Sequence, residues 1–428
     1  MKEKNFIIKG DICYSKSKDR LSCTEHGYLV CTEGTCRGVF EKVPEAYTGL
    51  PVEEYKNAMI LPGLYDLHVH APQYAYAGTG MDLELLEWLN TRTFPEEERY
   101  ADLGYAQRAY TLFAEKFRES ATARACIFAT IHRKATEILM DELEKTGMKT
   151  MVGKVSMDRN ASRGLLEAGP FQAAEEVCRW LEDISGKYKN VQPILTPRFV
   201  PSCTEKLLEE LGKISRRKKL PVQSHLSENP SEIAWVKELC PWAGSYADVY
   251  QHFGLLGAEY APAVMAHCVY SGESENERKL LKENQVYIAH CPQSNTDLSS
   301  GIAPVRKYLE EGMKIGLGTD IAGGHKMSVF QAMAEAIQVS KLRWRLTDSS
   351  LVPLKTEEAF YLGTRGGGSF FGKVGSFEPG YEFDALIISE ARLQTPAALT
   401  LKERLERIIY LSEDRDILRK YVAGERIF

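Results

Sequence analysis

Eight short apolar runs rich in β-branched residues alternate with helical segments through the middle of this chain, and that alternation limits the folds open to it. The runs cover residues 59–69, 123–131, 150–156, 192–198, 221–225, 263–269, 286–290 and 314–319. Helical periodicity fills gaps between them and follows the last, as at 171–188, 205–215 and 328–342. Near-continuous apolar strands interleaved with helices belong to a parallel sheet covered on both faces. Eight βα units favour a closed barrel over an open doubly wound sheet. The predicted fold is therefore α/β, a (β/α)8 TIM-like barrel.

The flanks read differently. Residues 1 to about 58 alternate apolar and polar positions in short stretches, with strands predicted at 6–12, 27–31 and 35–40. After residue 342 a helical pattern continues through 357–362. Glycine-rich stretches at 363–368 and 375–380 then break it, and 383–388 is strand-like again. Both ends are β-rich, which predicts one small β-sandwich domain built from both termini. The expected division is 1–58 and 375–428 for that domain, with the catalytic barrel at 59–374. A length of 428 residues suits a barrel with such additions.

Composition narrows the function. With 44% hydrophobic and 26% charged residues the chain reads as a soluble globular protein with a large core. A net charge of −5 and a pI near 6.1 give no basic face for nucleic acid. The Arg-Arg-Lys-Lys cluster at 216–219 reads as a solvated helix end. No run reaches membrane-spanning length and the N-terminus lacks an apolar signal core, so a cytosolic protein is expected. Its ten cysteines are then free thiols, and the absence of Cys-x-x-Cys argues against a zinc knuckle. Cys13, Cys23, Cys31 and Cys36 are expected as buried thiols of the small β layer.

Ionisable residues fall where barrel active sites are built, at the C-terminal ends of strands. His68 and His70 end the first run; two apart on a strand, they point the same way. His225 ends the fifth run, His267 lies near the end of the sixth, and Asp320 follows the eighth. Imidazoles with a carboxylate favour zinc or iron, and an open position would hold a reactive water. Asp66 is placed to orient one imidazole from behind. Glu228, three residues past His225, can approach water or substrate without binding metal. His132 and His290 also follow strands but are read as structural or pocket-lining. The fourth run ends in Arg198 rather than in a lysine that could bridge two metals, which points to one ion per chain.

These motifs resemble the amidohydrolase superfamily and, within it, the guanine deaminase family, over almost the whole chain. The stretches that carry the resemblance are 62–74 around His-Val-His-Ala-Pro-Gln, Leu-Leu-Glu-Trp-Leu-Asn-Thr-Arg-Thr-Phe-Pro-Glu-Glu at 85–97, 153–158, 195–203 with Pro-Arg-Phe, and 316–324 with Gly-Leu-Gly-Thr-Asp. The resemblance implies zinc-dependent hydrolysis of guanine to xanthine and ammonia in a homodimeric protein. It implies His68, His70, His225 and Asp320 as zinc ligands, with iron as the other candidate ion. His267 would hydrogen-bond the reacting water, and Gln73, Arg198 and Phe199 would bind the purine. An arginine fork can meet O6 and N7 of guanine, Gln73 can donate and accept, and Phe199 offers a flat apolar face. Asp320 would take a proton from water as it attacks C2, Glu228 would protonate N3, and the 2-amino group would leave as ammonia. Glycines 323–324 and residues 74–80 are candidate mouth loops. The His-x-Glu with Pro-Cys-x-x-Cys of the cytidine-deaminase type is missing, since Cys291-Pro292 has no second cysteine to follow it. The alternative substrates are a pterin, cytosine, a triazine or an adenosine derivative.

Overall fold

A computed structural model describes residues 4–257 and 261–428. The eight predicted runs become the eight barrel strands, in order. They are β1 (Leu64–His70), β2 (Thr122–Phe128), β3 (Lys149–Gly153), β4 (Val191–Pro193), β5 (Val222–Leu226), β6 (Ala263–His267), β7 (Tyr287–His290) and β8 (Lys314–Leu317). Neighbours pair in parallel from β1 to β4 and from β5 to β8. A bridge from Leu195 to Val222 joins the two halves. The barrel closes where the Asp320 amide donates to the His68 carbonyl at 2.8 Å and the His70 amide to that of Ile321 at 3.2 Å. Closure needs Gly318: a Cβ there would lie 2.7 Å from Cys291 Sγ and 2.9 Å from His68 Cβ. The glycine in Gly-Leu-Gly-Thr-Asp thus lets β8 approach β1 closely enough to bring Asp320 beside the histidine pair.

Helices cover the strands, and their signals are local. Leu103–Glu119 starts at Asp102, whose carboxylate accepts from the Gly104 and Tyr105 amides, and buries Ala106, Tyr110, Phe113 and Phe117 along one stripe. Arg133–Thr146 stops at Gly147, which adopts the left-handed conformation. Pro170–Asp183, Glu205–Lys218 and Val329–Leu346 realise the three helices read from periodicity. Among the described residues no helix is long and apolar enough to cross a membrane.

Strands from both termini form one seven-stranded mixed sheet. Its order is Glu425–Arg426, Ile417–Val422, Ala385–Ser389, Val52–Pro62, Phe6–Ser17, Arg20–Thr32, Thr35–Phe40. The run at 59–69 is therefore two strands and not one. Its first part pairs with Phe6–Ser17 and Ala385–Ser389 in the terminal sheet, and only the part after Gly63 enters the barrel. Both parts are apolar because both are buried, and Gly63 is the single interruption. All ten cysteines are free, and Cys13, Cys31 and Cys36 are buried as expected. Cys23 differs: it is exposed, because its strand faces solvent along that edge.

Candidate active site

At the C-terminal mouth of the barrel, four strand ends deliver one cluster of donors. His70 Nε2 lies 3.2 Å from both His68 Nε2 and His225 Nε2. Asp320 Oδ1 is 3.1 Å from His68 Nε2 and 3.5 Å from His70 Nε2. Two overlapping sets, His68–His70–His225 and His68–His267–Asp320, each bring three ligand atoms within 4.8 Å of one another. Burial, chiefly, holds His68, His70 and His225 well below the usual imidazole range, so all three are neutral and carry a lone pair. Neutral nitrogens facing one another have no proton arrangement that satisfies them all, whereas one cation does. The donor set therefore fits a metal ion, in the nitrogen-and-carboxylate pattern suited to zinc or iron.

The groups behind the donors fix their tautomers. His225 donates from Nδ1 to the Arg198 carbonyl at 2.6 Å, which turns its Nε2 to the cluster. His267 donates from Nδ1 to Asn295 Oδ1 at 2.9 Å, which leaves Nε2 facing the cluster. That atom is 3.4 Å from Glu228 Oε2 and 3.9 Å from Asp320 Oδ2, which leaves it able to bind a cation or to face a water. His267 (φ +70°) and Asp320 (φ +48°) both sit in the left-handed region, a strained conformation concentrated at this rim.

Asp66 was expected to orient an imidazole and does not. Its carboxylate accepts from the His68 and Thr319 amides at 3.2 and 3.0 Å and from the Thr319 hydroxyl, tying β1 to the end of β8. Backbone donors reach it first because it lies one layer beneath the histidines. Burial pushes its carboxyl up to about 7. His132 and His290 stay outside both donor sets. His290 is buried with neither ring nitrogen bonded to protein, and burial takes it down to about 3. Lys154 pairs with Glu167 at 2.6 Å, and Asp158 accepts from the Thr204 amide and hydroxyl, so both act in the scaffold.

Glu228 lies beside His267, its Oε2 3.4 Å from the ring. It is buried, with Ser300 Oγ donating to Oε1 at 3.0 Å. Burial, reinforced by the Asp320 charge and opposed by Ser300, raises its carboxyl to about 8. A group in that state carries a proton at neutral pH and can give it away. Arg198 and Phe199 follow on the fourth strand, and Gln73 follows the first. Arg198 is ion-paired to Glu97 at 2.6 Å, Gln73 Nε2 donates to Glu97 at 3.1 Å, and Gln73 Oε1 accepts from the Ala322 amide at 3.2 Å. The Phe199 ring stands edge to face with His225, centroids 6.4 Å apart. Gln73, Arg198, Phe199 and Glu228 line one small cavity with His70, His225, His267 and Asp320, and Leu85, Trp88, Leu89 and Leu298 form its apolar wall.

Glu97, Asn295, Ser300 and the wall escaped the sequence reading. Asn295 and Ser300 follow a strand end in a polar stretch, a signal that could have drawn notice. Glu97 sits in Pro-Glu-Glu, which reads as a solvated first turn. The 85–97 stretch is helical throughout, from Leu85 to Glu98 with a π-helical turn at Leu89–Thr93, and its Leu85, Trp88 and Leu89 line the cavity.

Comparison with known proteins extends the same pattern. Residues 59–427 match the Amidohydrolase family. Guanine deaminase of Dictyostelium discoideum is 41% identical over 87% of this chain and 83% of its own length. That of Escherichia coli is 36% identical over 88% and 84%. The crystal structure of guanine deaminase from C. acetobutylicum, with bound guanine in the active site, superposes with a TM-score of 0.95 at 45% identity, covering 99% of this chain and 100% of that one. Likeness of this extent, in sequence and in three dimensions, leaves one assignment: the chain belongs to the amidohydrolase family.

Proposed function

We propose that this chain hydrolyses guanine to xanthine and ammonia. The observation that carries the reading is the pairing of two unlike surfaces in one buried cavity: a cation-binding donor set, and a flat polar cradle of Gln73, Arg198 and Phe199 beside it. The relatives that match nearly the whole chain bear the name of this activity. We assign His68, His70, His225 and Asp320 as ligands of one zinc ion. Zinc bound there lowers the pKa of a water to about 7 and polarises the bond under attack.

The protein's own groups do the rest. Arg198 presents N–H donors to O6 and N7 of the base, and Gln73 fixes its edge. Phe199 supplies an apolar face. Asp320 accepts a proton as water oxygen bonds to C2, and His267 Nε2 orients that water from 3.9 Å away from Asp320 Oδ2. Glu228, protonated at rest, gives its proton to N3, so the negative charge arriving at the ring is neutralised where it appears. The C2–N bond then breaks. The amino group takes the proton held by Asp320 and leaves as ammonia, while the hydroxyl on C2 returns a proton to Glu228 and becomes the second carbonyl of xanthine. Water and guanine are the only reactants consumed.

The test is direct. Zinc-loaded protein mixed with guanine is expected to release one ammonia per xanthine formed. Treatment with a chelator should abolish turnover, and added zinc should restore it. Turnover of cytosine, adenine or a pterin in preference to guanine would overturn the substrate reading. A homodimer in the cytosol belongs to the same proposal. Leu342, Leu346 and Val352, with Tyr410 and Leu411 of the neighbouring helix, are exposed apolar side chains of the kind a second copy would cover. Sedimentation at twice the mass of one chain is expected, and a monomer at micromolar concentration would remove that part.

A further inference from the structure

We propose that Glu97 is a positioning residue that aligns Arg198 and Gln73 together and so sets the preference for a 6-oxo purine. This rests on the reading of those two side chains as the base-binding pair. Glu97 is fully buried, and its carboxylate divides between them: Oε1 accepts from Gln73 Nε2 at 3.1 Å and Oε2 from Arg198 Nη1 at 2.6 Å. Phe94, three residues earlier, lies under the guanidinium with its ring centroid 5.4 Å from Arg198 Cζ. One short turn, Phe94–Glu98, thereby holds the arginine by its face and by one edge.

Three physical points favour a functional carboxylate over a space-filling one. A buried charge is costly unless it is paired, and the segment that carries Glu97 otherwise contributes Trp88, Leu89 and Phe94 to a buried apolar cluster. The pair offsets the charge of the guanidinium, so Arg198 offers directional donors without an unbalanced charge of its own, which suits a neutral base over an anion. Among the described residues the Glu97 contact is the single hydrogen bond of the Arg198 guanidinium, so its other N–H groups remain for a ligand. The Gln73 amide is likewise locked, since Nε2 points to Glu97 and Oε1 takes the Ala322 amide. Glu97 touches neither base nor reacting atoms; it acts through the two residues that do.

Calorimetric titration of the zinc-loaded protein with two non-reacting bases separates this role from a structural one. Hypoxanthine has the 6-oxo group and no 2-amino group; purine has neither. Glu97→Gln is expected to weaken hypoxanthine binding by about tenfold or more while purine binding changes by less than about threefold, with zinc content unchanged. Glu97→Asp keeps the charge but withdraws the carboxylate, and should shift the same ratio less far; it carries the test if Glu97→Gln does not fold. A folded, zinc-loaded variant with the parent's hypoxanthine-to-purine ratio overturns the proposal. So does failure of both variants to fold, which would assign Glu97 to stability alone. A parent protein that neither binds hypoxanthine nor deaminates guanine would instead overturn the substrate reading.

Discussion

Glu228→Gln is expected to bind zinc as the parent does, to bind hypoxanthine with similar affinity, and to lose between about a hundredfold and ten-thousandfold in kcat. Glutamine is nearly isosteric with the protonated acid, and it can still accept from Ser300 Oγ, which now lies 3.0 Å from Oε1. Its amide cannot release a proton. His68, His70 and Asp320 are on other strand ends, and His225, three residues before Glu228, keeps its own support in the Arg198 carbonyl at 2.6 Å. The loss therefore belongs to kcat and not to the metal or to KM. Metal analysis beside steady-state kinetics reads all three quantities. Parent-like turnover would take Glu228 out of the chemistry and leave its raised carboxyl, up to about 8, as a consequence of burial alone. Loss of zinc with loss of activity would instead make it part of the cation site.

Much of this centre was legible because barrel chemistry is tied to strand ends. Apolar runs mark the strands, and the first ionisable residues after them point into one mouth. His68, His70, His225, His267 and Asp320 were found in that way, and they converge. What stayed hidden depends on contacts that no local pattern encodes. Glu97 looks like an ordinary acidic residue of a first helical turn; it is buried only because the 85–98 segment folds over the mouth and meets Arg198, 101 residues later. Asp66 has the right spacing to support an imidazole, yet the backbone of β8 offers it donors that the sequence does not display. Lys154 shows the converse, since a polar group at a strand end can also serve as scaffold, here by pairing with Glu167. The division of the 59–69 run fails for a related reason. Strands buried in a terminal sheet and in a barrel share one composition, and only Gly63 marks the change of partner.

At the opposite end of the barrel, Arg124→Met is expected to destabilise the fold by about 3–5 kcal/mol, seen as a large drop in the denaturant midpoint. Arg124, on β2, has a side chain only 4% exposed and grips Asp384 with two bonds, Nε to Oδ2 at 2.7 Å and Nη2 to Oδ1 at 3.0 Å. Nη2 also reaches Glu382 at 2.5 Å, and Lys149 meets the same carboxylate at 3.1 Å. Asp384 itself is inaccessible to solvent in its side chain. It takes two further bonds, from Tyr65 Oη at 2.9 Å and from the Ala423 amide at 2.7 Å. One carboxylate thus joins β1, β2 and the C-terminal strands of the small sheet. Methionine fills much of the volume but removes every charged donor, so the anion is left in an apolar joint with two neutral partners. Replacing both residues, Arg124→Met with Asp384→Leu, should cost less than the sum of the single changes, because no orphan charge remains. Additive losses would show that the two side chains stabilise the protein separately. A parent-like midpoint for Arg124→Met would mean that the terminal sheet is held to the barrel by its apolar contacts alone.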